Sequence, residues 1–203
     1  PLDLMKYIPG PDFPTGGFIC GTGPIKEAYA TGRWVLQVRA SAEIEEQPGK
    51  KGREAIIVDA RPYPIEGQES LARELIALHK AGWKHFHVVL CRGHRFIGNG
   101  FGMDTGDVRI DVYGSVGDYL GSGNDGMTIH MHGNGQDQIG QIHKRGTLVV
   151  HGDVGQCYGY GAKGGRLFIL GNAAGRPMIN SVGTPKLVIN GSALDYLAES
   201  FMA

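Results

Sequence analysis

Hydrophobic and polar positions in the second half of the chain follow two nested periods. The short one is two. In Arg109-Ile110-Asp111-Val112-Tyr113-Gly114, Thr128-Ile129-His130-Met131-His132-Gly133 and Thr147-Leu148-Val149-Val150-His151-Gly152, apolar side chains fall at alternate places before a glycine. Arg166-Leu167-Phe168-Ile169-Leu170-Gly171 and Lys186-Leu187-Val188-Ile189-Asn190-Gly191 repeat the arrangement. Such alternation predicts short strands that bury one face. The long period is the coil. The closing glycines stand at 114, 133, 152, 171 and 191, in steps of 19, 19, 19 and 20 residues. A fixed step of this size predicts a solenoid in which one repeat makes one turn.

Aligned on those glycines, the second and fourth positions before them are wholly apolar: Val112, Met131, Val150, Ile169 and Ile189, and Ile110, Ile129, Leu148, Leu167 and Leu187. These columns are expected inside. The intervening columns, Asp111, His130, Val149, Phe168 and Val188, and Tyr113, His132, His151, Leu170 and Asn190, are mixed and expected outside. Ser115, Asn134, Asp153, Asn172 and Ser192 follow the glycines, and such side chains bond turn backbone. Gly93, Gly114, Gly117, Gly133, Gly135, Gly152, Gly155, Gly171, Gly175 and Gly191 are read as turn glycines, with Gly93 closing a first, irregular coil.

Upstream the text differs. Gln68 to Gly82 carries Leu71, Leu75 and Leu78 at helical spacing, with Ser70 as candidate N-cap and Gly82 as the stop. This helix is expected to cap the coils. Pro9 to Gly17 reads as a loop, Ile25 to Ala30 as a short helix, and Trp34 to Glu45 with Glu54 to Ala60 as a β-hairpin. The expected organisation is a loop and hairpin over 1–58, a linker and capping helix over 59–83, and a parallel β-helix over 84–203. The fold class is mainly β.

Composition sharpens this picture in three ways. Glycine is 34 of 203 residues and follows the coil period, so it is structural. Twenty Lys and Arg balance twenty Asp and Glu, which gives no electrostatic case for nucleic acid or a membrane as partner. Cys20, Cys91 and Cys157 stand far apart with no CxxC, and no long apolar run occurs, so a reduced, cytoplasmic setting is expected.

Two resemblances carry expectations about function. Lys6 to Gly17, Ala28 to Arg33 and Gly52 to Val58 resemble a stretch of the DNA gyrase A subunit that lies beyond the segment bearing its DNA-cleaving tyrosine. Trp34 departs from that pattern, where a glycine is usual. The winged-helix and metal-binding modules of that family are not recognisable, and no topoisomerase activity is expected. Cys91 to Gly98, His132 to Gly140, Gly152 to Gln156, Tyr160 to Gly165 and Gly171 to Arg176 resemble the GXGXG domain of the glutamate synthase large subunit. That resemblance covers about 57–203 and implies a right-handed β-helix without an active site. It implies a scaffold in an oxidoreductase complex, with partner subunits supplying the glutamine amidotransferase and the FMN and iron–sulfur chemistry. This chain would bind no cofactor itself and would lack catalysis alone. A coil subunit like that of formylmethanofuran dehydrogenase and a fused self-assembling β-helix are the alternatives, and a homo-oligomer is a candidate assembly.

Candidate chemistry is sparse. His130, His132 and His151 share the outward face of adjacent coils, and three imidazoles can hold Zn²⁺ or take part in a metal-dependent reaction. No carboxylate ladder completes the set, so the preferred reading is surface histidines without metal. Arg92, Arg95 and Arg176, with Lys163 and Arg166, are candidates for contact with a partner or its flavin, beside the plainer reading as solvated turn residues. The glycine runs lead into strands, whereas a phosphate cradle opens a helix, so tight turns are preferred. Cys157 lacks a neighbouring base and is read as packing.

Overall fold

The computed structural model describes residues 55–202, and the backbone of one strand before them. In chain order the elements are β1 (Trp34–Val38), β2 (Ala55–Asp59), α1 (Leu71–Lys80), β3 (His85–His94), β4 (Arg109–Val116), β5 (Asp125–His132), β6 (Arg145–Val150), β7 (Arg166–Ile169) and β8 (Lys186–Ile189). The strands form one sheet in the order β1 to β8, every neighbouring pair parallel. A sheet of sequential parallel strands with a near-constant step is a parallel β-solenoid. The expected leader loop and first short helix lie outside the described residues, as does the expected strand beyond Val38.

The inward columns hold throughout. Ile110 pairs Ile129, Ile129 pairs Leu148, Leu148 pairs Leu167 and Leu167 pairs Leu187, so like stacks on like. The first four of these five are fully buried. A second wall comes from single bridges linking Val116, Gly135, Val154, Ala173 and Ala193 in succession. The third wall consists of turns. Residues Tyr119, Gln138, Cys157, Arg176 and Tyr196 have positive φ, as do the residues two and four further along each coil. Hydrogen bonds such as Ser122 N to Tyr119 O and Asn124 N to Gly121 O make these consecutive type II turns. Gly98, Gly121, Gly140 and Gly159 take the middle place and face the core, against Ile129, Leu148 and Leu167. The side chain between the first two positive-φ residues, Leu120, Ile139 and Tyr158 in turn, is fully buried.

Three expectations need correction. The first two strands are no hairpin: β1 pairs β2 in parallel. A tight turn joins only antiparallel strands, and here residues 39–54 separate the two. Gly93 does not stand in the glycine column, because Cys91 is the partner of Gly114. The register slips between Val88 and Cys91, where Leu90 takes a positive φ of 58°. Finally, the other strand face is not uniformly outside. Asp111, Tyr113 and His132 are all buried, whereas Val188 is 52% exposed.

Helix α1 starts after Ser70, whose side chain makes no capping bond, and stops at Gly82 with φ +106°. Leu71, Leu75 and Leu78 enter the same core as the coils. The His79 and Phe86 rings pack against Phe101 from two sides, at 5.0 and 6.0 Å between centroids. The helix therefore closes the apolar interior, while β2 takes up the backbone edge of β3.

Candidate functional site

The corner glycines are dictated by how closely one coil approaches the next. A Cβ on Gly152, Gly171 or Gly191 would stand 2.6 Å from the carbonyl oxygen of Gly133, Gly152 or Gly171. Gly114 and Gly133 meet backbone of the preceding coil just as closely, and Gly117 meets the carbonyl of Gly93. Gly155 faces Asp137 and Gln136, Gly135 lies against Ile139 and Met131, and Gly175 has ordinary room. Beside the corner runs a side-chain ladder. Asn134, Asp137, Asp153 and Asn172 each accept a hydrogen bond from a backbone N–H one coil on, at 2.7–2.9 Å. The spacing of Gly114, Gly133, Gly152, Gly171 and Gly191, and of these Asx residues, is thus explained by coil stacking alone.

Chemistry concentrates on the other face of β4, β5 and β6. Registry sets Asp111 beside His130 and Tyr113 beside His132. His151 follows His132 one coil on; the Tyr113 and His132 rings stack with centroids 4.5 Å apart, and the His151 ring lies against His132 at 4.5 Å, tilted by 30°. His130 Nδ1 and His151 Nε2 lie 3.3 Å apart. His132 Nε2 donates to Asp111 Oδ1 at 3.0 Å. Arg109 holds the same carboxylate with two bonds, from Nε at 2.6 Å and Nη2 at 3.0 Å. One ring nitrogen from each of His130, His132 and His151 lies within 4.8 Å of the others.

Burial sets the electrostatics of this cluster. It works to raise the Asp111 carboxyl, but the hydrogen bonds from His132 and Arg109 outweigh it and hold the group well below the usual carboxylate range. Burial lowers His151 to about 4, helped by the neighbouring His132 and His130, and lowers His130 as well. His87, stacked on Tyr113 from β3, is likewise lowered to about 4, mainly by burial. These imidazoles are therefore neutral at pH 7, with lone pairs available as donors.

Sequence reasoning placed the three histidines together but missed the carboxylate. Asp111 sits in the His130 column, yet bonds His132 across the diagonal, two residues from the direct partner. Diagonal neighbours on one face of a sheet are within reach of long side chains. That signal was present in the column alignment.

The candidate arginines do not converge. Arg95 is shared between Glu66 and Asp118 at 2.5 and 3.0 Å and lies over Phe96 and Tyr119. Arg176 lies over Tyr196, and Arg92 is exposed at the β3 bulge. Cys157 belongs to the turn wall with φ +57°, half-buried and unbridged. Cys91 has a histidine beside it, His94 Nδ1 at 3.5 Å, but burial pushes its thiol up to about 12, so it is not a nucleophile at neutral pH. Beside α1 an open groove is lined by Tyr63, Ser70, Arg73 and Glu74, and burial raises the Glu74 carboxyl. No described helix is long and apolar enough to cross a membrane.

The described residues thus define a parallel β-solenoid with a buried carboxylate–histidine cluster on one face. Comparison with known proteins adds a second, separate finding. The DNA gyrase A subunit of Deinococcus deserti is 49% identical over 79 residues, which is 39% of this chain and 9% of that protein. The DNA gyrase A subunit of Pseudomonas aeruginosa is 52% identical over 63 residues, 31% of this chain and 7% of that protein. The DNA topoisomerase 4 A subunit of Streptococcus pyogenes serotype M3 is 52% identical over 62 residues, 30% of this chain and 7% of that protein. The chain spans less than a tenth of the length of these relatives. No family model matches the chain, and no solved structure matches it.

Similarity of a segment of this chain to the DNA gyrase A subunit is therefore established. The glutamate synthase scaffold, with its amidotransferase and FMN-subunit partners, is corrected by these relatives, as are its stated alternatives. The physical reason lies in the corners: their glycine pattern follows from the contact distance between coils and so reports fold, not function. The expectation of no nucleic-acid partner falls on the same finding. Net charge averages over the whole chain, whereas contact with phosphate depends on local groups.

Proposed function

We propose that this chain is a DNA-associated protein, acting through its gyrase-like segment as an accessory, non-cleaving part of a DNA-topology system. The observation that carries this reading is identity of about half over 62–79 residues to A subunits of DNA gyrase and topoisomerase 4. The sequence Lys50-Lys51-Gly52-Arg53 supplies a compact set of cations before β2. On the solenoid, Arg166 and Lys186 occupy one exposed column at the starts of β7 and β8, with exposed Lys163 just before Arg166. Lysine and arginine contacts to phosphate make affinity fall with salt, with a log–log slope of about −0.9 for each phosphate neutralised.

Fluorescence anisotropy of a labelled duplex, titrated with the full chain at several salt concentrations, tests this. Binding is expected, with a slope of magnitude roughly 3 or more. Replacing Lys50, Lys51 and Arg53 together by alanine should reduce that magnitude by roughly 2–3. Absence of binding at low salt would end the reading.

A further inference from the structure

We propose that His130, His132 and His151 form a binding site for one divalent transition-metal ion of the zinc type, with Asp111 behind it as positioning carboxylate. The proposal is independent of any role with DNA.

The donor set fits that ion class. Imidazole nitrogen suits Zn²⁺, Co²⁺, Ni²⁺ and Cu²⁺, whereas Mg²⁺ and Ca²⁺ take oxygen. Two nitrogens bound tetrahedrally at ~2.0–2.1 Å from one ion stand about 3.3–3.4 Å apart. His130 Nδ1 and His151 Nε2 are already 3.3 Å apart. All three donor nitrogens fall within 4.8 Å of one another, so a small movement of the half-buried His130 and His151 rings toward His132 completes the set. The ion would replace the weak bond between two imidazoles by two metal–nitrogen bonds.

The surroundings are those of a built site. His132 is 4% exposed and Asp111 1%, and the ring is fixed by its bond to Asp111 and by packing between the Tyr113 and His151 rings. A carboxylate that takes the N–H of an imidazole orients the ring and raises its basicity as a ligand. Arg109 anchors Asp111 in turn, so the carboxylate cannot turn away. His130 and His151 are only half-buried, which leaves a path for the ion. Their backbones belong to β5 and to the residue that follows β6, neighbouring coils of one sheet. Three ligands leave a fourth position for water or another donor.

The test uses the full chain stripped with chelator. Cobalt(II) should bind with one-to-one stoichiometry and show the visible d–d bands of a tetrahedral site, and Zn²⁺ should abolish them. Added Zn²⁺, but neither Mg²⁺ nor Ca²⁺, should raise Tm by about 5–10 °C at roughly one hundred times Kd. His130→Gln and His151→Gln should each lose the cobalt bands. Asp111→Asn should weaken cobalt binding by about 10–100-fold, whereas His79→Gln on α1 should leave the bands intact. The Tm shift needs no variant, so it decides the matter even if a substitution prevents folding. Full retention of the bands in His130→Gln and His151→Gln would overturn the proposal, as would a native chain with neither bands nor Tm shift.

Discussion

The inner turn wall makes one prediction that cannot be obtained from either of its residues alone. Gly140 has φ +68°, and a Cβ there would lie 2.7 Å from Leu148 Cδ2 and 3.2 Å from Leu167 Cδ2. Gly140→Ala therefore meets two separate costs. The left-handed backbone costs a non-glycine residue about 1–2 kcal/mol. Forcing a methyl into a filled core adds about 1–3 kcal/mol. Leu148→Ala alone empties a site with no exposure, which costs about 2–5 kcal/mol. In the double variant the methyl of residue 140 enters space that the leucine has left, and the packing cost largely disappears while the backbone cost remains. The two substitutions should therefore be coupled favourably by about 1–3 kcal/mol. Urea unfolding of the four proteins, followed by far-UV circular dichroism, measures this directly. Additivity within about 0.3–0.5 kcal/mol, or a double variant worse than the sum, would refute the placement of Gly140 beneath Leu148.

Lowered histidines predict a particular dependence on acid. His87 sits at about 4 in the folded chain against an ordinary 6.5, so between these values the unfolded state holds more protons and stability falls as pH drops from 6.5 to 4. At ~1.4 kcal/mol for each tenfold difference in proton affinity, the loss from His87 is on the order of 3 kcal/mol. His151 adds a smaller part because it is more exposed, and thermal melts flat across this window would contradict the prediction. Asp111 acts lower, since a depressed carboxyl loses its contribution only below its unfolded value of 3.8. Along the corner ladder, Asp153→Ala should lower stability by about 0.5–1.5 kcal/mol for the hydrogen bond to Asn172 N, and Asp153→Asn should retain most of it. Equal losses in denaturant midpoint for both would remove the ladder as a source of stability.

The strand core was legible because burial there obeys one rule in every coil. Ile110, Ile129, Leu148, Leu167 and Leu187 repeat a type at a fixed step, and nothing local competes with it. The tandem turns were not legible. Their positive-φ places hold Tyr119, Gln138 and Cys157 as well as glycine, since hydrogen bonds between coils override the local preference of each residue. Gly93 misled because a bulge changes register without any sign in the spacing. At the histidine cluster the residue types were visible, but burial was not. An outward column of a solenoid looks the same whether solvent or protein lies over it, so His132 reads as a surface residue although it is buried. The resemblance of residues 57–203 misled about function for a related reason. Glycines that stacking requires will recur wherever chains adopt this corner.

The contact between successive corners also limits how this chain can change in length. With no Cβ between them, Gly133, Gly152, Gly171 and Gly191 each rest on the backbone of the coil before. One residue added within a strand would exchange its inner and outer side chains, and one added at the corner would break that contact. A whole coil of about 19 residues, by contrast, brings its own glycine, its own Asx or serine after it and its own core isoleucine or leucine. Growth and shrinkage are therefore tolerated in units of a coil, which makes gene duplication of a single turn the natural route to a longer stack.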